Sequence, residues 1–484
     1  MKKESGITIV ALVVTIVVML ILVGVSVTVS INGGLFNTTK ESTYKTEVSQ
    51  VKEALEEEIV QRKARRESTD NITIADLDIP DKIKEKYKDK LIIIGKDIYY
   101  DPANIKKDNE EAWLEDMDIS TNTKFFTYNS NGDTITGLSE FGYTAIENGV
   151  TKFVMPTKYV SKDANGNRKV TTITTIGANA FNATLEGKEK CVKIKSIVFP
   201  TTLTTLKTNA FEGCNGLEKI DLNNTQIGAI ENYSFRNCSN LAEVKAPNTL
   251  KSIGESSFEN CKNLLKIDLS NTQIGAIGNY SFRNCSNLAE VKAPDTLKSI
   301  GAASFANCKN LLKIDLSKTQ VTYIGQYAFS YCMNLKEAIL PENLTGLDSF
   351  AFWHCEKMEK VNLGRITTVR PYCFQYCTSL KNIEIPDSVT YIAERSFQCC
   401  SSLEKLIIPS SVTSIIFEAF MWDSAIQEIR IPSSVTTMSY NVFSQSAKGG
   451  KMYVPFTKEE GKPSGWSSEW NKSGATIIYA DETT

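Results

Sequence analysis

The sequence predicts a mainly β repeat solenoid. It should be a right-handed coil of about twelve units of 22–24 residues, preceded by a transmembrane and stalk α-helix. Three observations carry this expectation. Phenylalanines recur at Phe181, Phe211, Phe235, Phe258, Phe282, Phe305, Phe329, Phe352, Phe374, Phe397, Phe420 and Phe443, and after a first gap of 30 every step is 22 to 24 residues. The phrase NYSFRNCSNLAEVKAP stands at Asn232–Pro247 and again, unchanged, at Asn279–Pro294. A charge-free run from Ile7 to Ile31 precedes everything else.

That run comes first in the chain. Its twenty-five residues would make a helix of about 37 Å at ~1.5 Å per residue, enough to cross a hydrocarbon layer of ~30 Å. It is rich in Val and Ile, which water does not favour as helix; lipid does, because the backbone there must satisfy its own hydrogen bonds. Lys2 and Lys3 ahead of it would hold the N-terminus in the cytoplasm. The expectation is a single-pass cell-membrane protein, touching lipid through residues 7–31, with its C-terminal domain extracellular at the cell surface. A cleaved secretory signal fits less well, because the apolar core is too long and Asn32-Gly33-Gly34 is a poor cleavage site. The start, KKESGITIVALVVTIVVMLILVGVSV, resembles the prepilin-type N-terminal segment, in the GIT-apolar form of Gram-positive pilin-like surface proteins. The resemblance spans residues 1 to about 66. It implies a leader at 1–6, a prepilin peptidase that cuts after Gly6, and methylation of the new first residue, Ile7. Typical pilins carry Glu five residues after the cut; here that position is Ala11, which counts against polymerisation.

Residues 32–68 read as an extracellular stalk helix. Tyr44, Val48, Val51, Leu55 and Ile59 share one face, and Arg62, Lys63, Arg65 and Arg66 close the helix in keeping with its dipole. A basic membrane-binding patch is the rival reading, weakened by as many acids on the same helix. Residues 69–123 read as a small adaptor region without assigned function. KLIIIGKDIYYDP suggests one or two strands ending at Pro102, and DNEEAWLEDMDIS, with Trp113, a short capped helix or loop.

Residues 124–450 carry the repeats. The unit SLKNIEIPDSVTYIAERSFQCCS shows the pattern L-x-x-I-x-I-P-x-x-V-x-x-I-x-x-x-[AS]-F-x-x-C. L-x-x-I-x-I turns alternate side chains inward on a short strand, and Pro ends that strand. V-x-x-I supplies a second apolar edge, and Phe fills the corner. No single unit closes such a core, so units must stack. Twelve rungs at ~4.8 Å would make a sheet about 55 Å long. The period lies within the range of leucine-rich repeats. The pattern resembles the BspA-like leucine-rich repeats of bacterial and protist surface proteins, over about 170–450, with degenerate turns from Phe126. MYVPFTKEEGKPSGW…ATIIYAD, within residues 451–484, resembles that family's C-terminal cap. The resemblance implies a surface protein that binds matrix proteins or other cells.

The doubled phrase is part of a longer copy. Glu218–Asn263 and Leu265–Asn310 differ at seven places, 218/265, 223/270, 231/278, 248/295, 255/302, 256/303 and 259/306, all expected on the surface. A two-rung block has been pasted in, which lengthens the array without adding chemistry.

Nine of the twelve cysteines keep repeat register: Cys214, Cys238, Cys261, Cys285, Cys308, Cys332, Cys355, Cys377 and Cys400. They are expected as a buried column rather than as disulfides. Cys373 should be buried too, and Cys191, in the long first repeat, should be the accessible thiol. A zinc site on Cys373 and Cys377 would need further ligands, so no metal is expected.

Net charge is −2, from 54 basic and 56 acidic residues, which gives no case for nucleic acid. The single histidine, His354, excludes every two-histidine metal motif. DANGN at 163–167 lacks the glycine and terminal acid of a calcium loop, and no phosphate loop occurs. No catalytic residue, cofactor or enzymatic activity is expected.

Two outward strand columns give the functional signal. One reads Lys219, Glu243, Lys266, Glu290, Lys313, Glu337, Lys360, and the other Asp221, Lys245, Asp268, Lys292, Asp315. Unlike charges thus face each other from rung to rung, a self-neutralised and solvated face. The second column then continues Ile339, Asn362, Glu384, Ile407, Arg430, with Trp353, Tyr372, Tyr376 and Trp422 in nearby turns. Exposed apolar and aromatic groups of this kind mark binding surfaces, although the aromatics could equally pack on their own turns. These nine residues, within 337–431, are the expected grip on an extracellular protein or surface polymer, for adhesion or recognition. The alternative is a minor pilin-like subunit presenting the repeats at a filament tip.

Overall fold

The computed structural model describes residues 34–65, 67, 72–88, 90–94, 97–100, 121–162 and 165–482. They fall into two compact units, one reaching Thr121 and one running from Asn122 to Thr484.

In the first unit the helix Gly34–Arg65 is the dominant element. Its stripe of Tyr44, Val48, Val51 and Leu55 is buried against Ile72, Ile74, Leu77, Ile83, Tyr87 and the hairpin Leu91–Ile94/Asp97–Tyr100. The same face was expected on a solvated stalk; an apolar stripe suits either, and here it finds a core. Tyr87 donates its hydroxyl proton to Glu47 at 2.8 Å, which ties the short helix Asp81–Tyr87 to the long one.

The localisation expectation is corrected. Among the described residues no helix is long and apolar enough to cross a membrane, so a single-pass cell-membrane protein is not supported. The physical reason is visible in Gly34–Arg65, which is long enough but carries charge on nearly every turn, from Lys40 and Glu41 to Lys63 and Arg65. The run 7–31, with Gly6, Ile7 and Ala11, lies outside the described residues.

The second unit is a β-solenoid of about twelve turns. Most coils have a three-residue strand, a two-residue strand and a corner turn. The three-residue strands form the first wall, in register as Lys219↔Glu243, Ile220↔Val244 and Asp221↔Lys245. The two-residue strands form the second wall, unbroken from Thr175–Ile176 to Gly346–Leu347. Every pairing between coils is parallel because each coil repeats the direction of the last. The N-terminal end is closed by the hairpin Phe126–Tyr128/Thr134–Leu138 and the helix Glu140–Glu147, which starts on the N-cap Ser139, whose hydroxyl accepts from Gly142 N–H. At the other end Lys451–Tyr453 and Thr476–Ile478 pair, and buried Trp466 donates its indole N–H to Val435 O at 2.8 Å.

The corner is held by two columns. The twelve phenylalanine rings form one continuous stack with centroids 4.9–5.5 Å apart. Beside it, each of the nine in-register thiols donates to the carbonyl of the phenylalanine one coil back, at 3.1–3.4 Å. All twelve cysteines are free. The small weak donor therefore does a specific job: from Phe211 onward it is the second donor to a buried carbonyl that already accepts the cysteine N–H of its own coil, as Phe211 O does from Cys214 N–H at 3.2 Å. Cys191 is buried as well, as the inward residue of the short helix Glu189–Lys193, and Cys399 is the one cysteine left partly exposed.

Two copy differences are not on the surface: Ser256/Ala303 and Glu259/Ala306 are all buried. Glu259 accepts from Arg283 Nε at 2.7 Å, as Glu212 does from Arg236. One double period on, Glu259 corresponds to Ala306, and the coil after the copy carries Ser330 in the place of Arg283, so no charge is stranded.

Candidate ligand-binding wall and cleft

Every coil from Phe211 onward places two residues in the left-handed region, one two positions before its Phe and one two positions after. The later position is Asn237, Asn260, Asn284 and Asn307 in the central coils, a residue type that tolerates positive φ. Their side chains bond from coil to coil at 2.8–3.1 Å. From Tyr331 onward the same position becomes Tyr331, His354, Tyr376, Cys399 and Trp422. Bulky residues are strained there, so something else must hold them.

For three of them that something is stacking. Tyr331, His354 and Tyr376 stack at 4.7 and 4.3 Å, while Tyr327, Phe350 and Tyr372 stack at 4.5 Å each in a parallel column. Trp353 presents its edge to both columns and donates its indole N–H to Gln375 Oε1 at 2.8 Å. Tyr372 accepts from Arg395 at 3.0 Å. Trp353, Tyr372 and Tyr376 are thus half-buried and mutually packed, and burial pushes the Tyr376 hydroxyl above its ordinary pKa. Trp422 differs: it is 45% exposed at φ +67°.

The five strand positions lie on the first wall, away from these turns. Central pairs there show the expected sign alternation, with Lys245–Asp221 at 3.3 Å, Lys292–Asp268 at 3.1 Å and Lys313–Glu337 at 2.9 Å. Ile339 is half-buried. Ile407 is 50% exposed and stands in register with Arg430, which in turn pairs with Tyr453 and lies 4.3 Å over its ring. The nine residues therefore form a wall group and a turn group rather than one cluster.

Asn362 is occupied internally. Its side-chain amide accepts from Leu340 N–H and donates to Leu340 C=O, both at 2.7 Å. In closed coils the equivalent N–H donates to main chain, as Leu222 does to Lys245 O at 2.9 Å and Leu316 to Ile339 O at 2.8 Å. The ladder parts just beyond. Lys360–Val361 ends a three-stranded sheet, and the second wall breaks between Gly346–Leu347 and Thr368–Val369. A separate gap in the first wall after Glu290–Lys292 leaves the second wall intact, with Ser299↔Tyr323 still paired. Here the walls miss pairings at two successive junctions: the second wall before Thr368–Val369, where Glu337↔Lys360 still pairs on the first wall, and the first wall after Lys360–Val361, where Thr368↔Tyr391 still pairs on the second. The corner stays shut at both junctions, with Phe352 N–H on Cys373 O at 2.9 Å and Phe374 N–H on Ser396 O at 2.8 Å. What opens is a cleft of about 1080 Å³ between residues 359–365 and 381–387, which includes Glu384.

The cleft was not foreseen, although the sequence holds a trace of it. Phe352 to Phe374 is the one 22-residue step. The missing residue falls where Gly364 turns at φ +59°; a Cβ there would lie 2.9 Å from both Leu344 Cβ and Pro341 O.

The model of the BspA type leucine rich repeat region matches this chain at 168–276, 263–377 and 363–460, more than half its length. The chain belongs to the BspA-type leucine-rich repeat family. Solved structures are similar to this BspA-type array at low identity. A leucine-rich repeat protein from Bacteroides ovatus is 23% identical, covering 73% of this chain and 97% of that one, with a TM-score of 0.45. A leucine-rich cell surface protein from Faecalibacterium prausnitzii is 20% identical, covering 73% and 92%, with a TM-score of 0.44. A T. pallidum leucine-rich repeat protein is 24% identical, covering 38% and 82%, with a TM-score of 0.30. No curated protein matches the chain. BspA-type arrays of this kind are typically binding scaffolds rather than enzymes.

Proposed function

We propose that this BspA-type array is a recognition module that binds a protein or surface polymer, in adhesion at a cell surface, through its C-terminal coils. One observation carries the reading. Where the self-neutralised wall gives out, Ile407 stands half-exposed beside Arg430, and Arg430 lies on Tyr453. An apolar side chain, a guanidinium and an aromatic ring in three successive rungs have the composition of an interface core. Trp422, exposed on an adjacent corner turn, adds a second anchor.

The test is binding of the full-length chain to panels of purified matrix proteins and cell-wall polysaccharides. Ile407→Asp with Trp422→Ala should weaken the recognised ligand at least tenfold. Unchanged binding by the double variant would remove this surface from consideration.

The pilin-like alternative rests on residues 1 to about 66, chiefly Gly6 and the apolar start at Ile7. N-terminal mass spectrometry of the native protein decides it: a methylated Ile7 start supports processing by a prepilin peptidase, and an intact Met1 rules it out.

A further inference from the structure

We propose that the cleft between Lys360–Val361 and residues 381–385 is an acceptor for an extended peptide strand from a partner protein. The inference rests on the reading of the array as a protein-binding scaffold and adds the mode of binding.

Main chain is the first argument. Elsewhere along the first wall each rung hands its hydrogen bonds to the next: Glu359 N–H reaches Lys336 O at 2.8 Å, and Glu404 N–H reaches Lys381 O at 3.0 Å. Between these two links, among the described residues, no backbone hydrogen bond joins 359–363 to 381–385. The cleft is therefore bordered by two strand edges that carry main-chain donors and acceptors without ladder partners. Such edges recruit an extended chain.

Side chains set the register. Val361 and buried Ile383 are the inward positions flanking the gap, so the central residue of the incoming strand is apolar. Lys360 has Glu337 opposite on its closed side, and Glu337 is already bonded to Lys313 at 2.9 Å. On the open side its column continues with Asn382, which is set by the Asn382↔Lys405 bridge, and no acid stands there. An acid just before the apolar residue would restore the sign alternation seen in the central coils. The next position would lie between Asn362 and Glu384, which favours a base. Acid–apolar–base is the motif of the array's own rung Glu290-Val291-Lys292.

The probe is thus a capped synthetic peptide, LAEVKAP, copied from Leu288–Pro294 and added to the full-length chain. Hydrogen exchange should slow at least fivefold in both 359–363 and 381–385. Methylating the peptide's Val nitrogen, which removes a main-chain donor and little else, should cost at least tenfold in affinity. Lys360→Glu, an exposed change outside the core, should weaken LAEVKAP at least fivefold and be rescued by the charge-swapped LAKVEAP. Unaltered exchange in both segments at saturating peptide, or equal affinity of the methylated peptide, would overturn the proposal. So would peptide-sensitive self-association in sedimentation, which would put a second copy of the chain in the cleft. A chain that ignores the peptide but loses its ligand on Ile407→Asp keeps the proposed function and loses only the strand acceptor.

Discussion

The thiol of Cys238 donates to the carbonyl of Phe211, one coil back, at 3.2 Å, and both groups are fully buried. Cys238→Ala removes one of that carbonyl's two donors and leaves Cys214 N–H at 3.2 Å. It should cost about 0.5–1.5 kcal/mol in chemical denaturation, the net contribution of one buried hydrogen bond. Cys238→Ser, which keeps a donor, should recover part of the loss. An alanine variant as stable as the parent would mean the thiol is mere filler.

Thiol chemistry should follow burial. Burial pushes Cys214, Cys261 and Cys308 well above the usual thiol range, while partly exposed Cys399 reaches about 11. The thiolate is the reactive species, so native alkylation near neutral pH should be slow and should map to Cys399 first. Peptide mapping after iodoacetamide treatment checks this. Early labelling of Cys191, buried and pushed to about 11, would contradict the fold at the first repeat.

Asp423 occupies a thiol position in the corner column. Its Oδ1 accepts from Cys400 N–H at 2.8 Å, and full burial pushes the carboxyl well above its ordinary 3.8. The folded chain thus keeps a proton that the unfolded chain releases as pH rises past about 4. Folding then binds the extra proton, and stability falls as pH climbs from about 4 toward the raised value. Asp423→Asn keeps the acceptor and cannot ionise. The two proteins should melt alike near pH 4, with the variant increasingly the more stable by pH 7. Parallel melting curves across that range would show that Asp423 is solvated.

The pasted block should be dispensable for folding. Removing Leu265–Leu311, a 47-residue double period, joins Leu264 to Leu312 in register with what was lost. Contacts run only between neighbouring coils, so the shortened array should fold and keep its C-terminal binding. Circular dichroism and the binding assay check both halves of that statement.

These cases show why parts of the molecule were readable in advance. Core positions must recur at a fixed interval for coils to stack, so Phe235, Cys238 and Leu241 announced their columns. The sign alternation at Lys219, Glu243 and Lys266 was equally open, because register follows from the period. The stripe at Tyr44, Val48 and Val51 was ambiguous: amphipathic spacing marks a buried face without saying what buries it. Cys191 was misread because an insertion relative to the repeat looks loose, yet this one folds into a short helix with its own cysteine as the inward residue. Aromatics such as Trp353 and Tyr376 were open between a binding surface and packing on their own turns, and only the coil-to-coil stacks show where their faces go. The cleft left a one-residue trace, since Met358 and Leu380 preserve the consensus on either side of it.

These two successive breaks, one in each wall, bear on how the array would carry mechanical load. Tension applied along the stack is shared by the ladders of two walls and the corner in most coils. At two successive junctions one ladder is missing, the second wall's between Gly346–Leu347 and Thr368–Val369 and the first wall's between Lys360–Val361 and residues 381–385. A chain pulled from both ends should yield there first, releasing the terminal coils as one block and leaving the duplicated central coils intact.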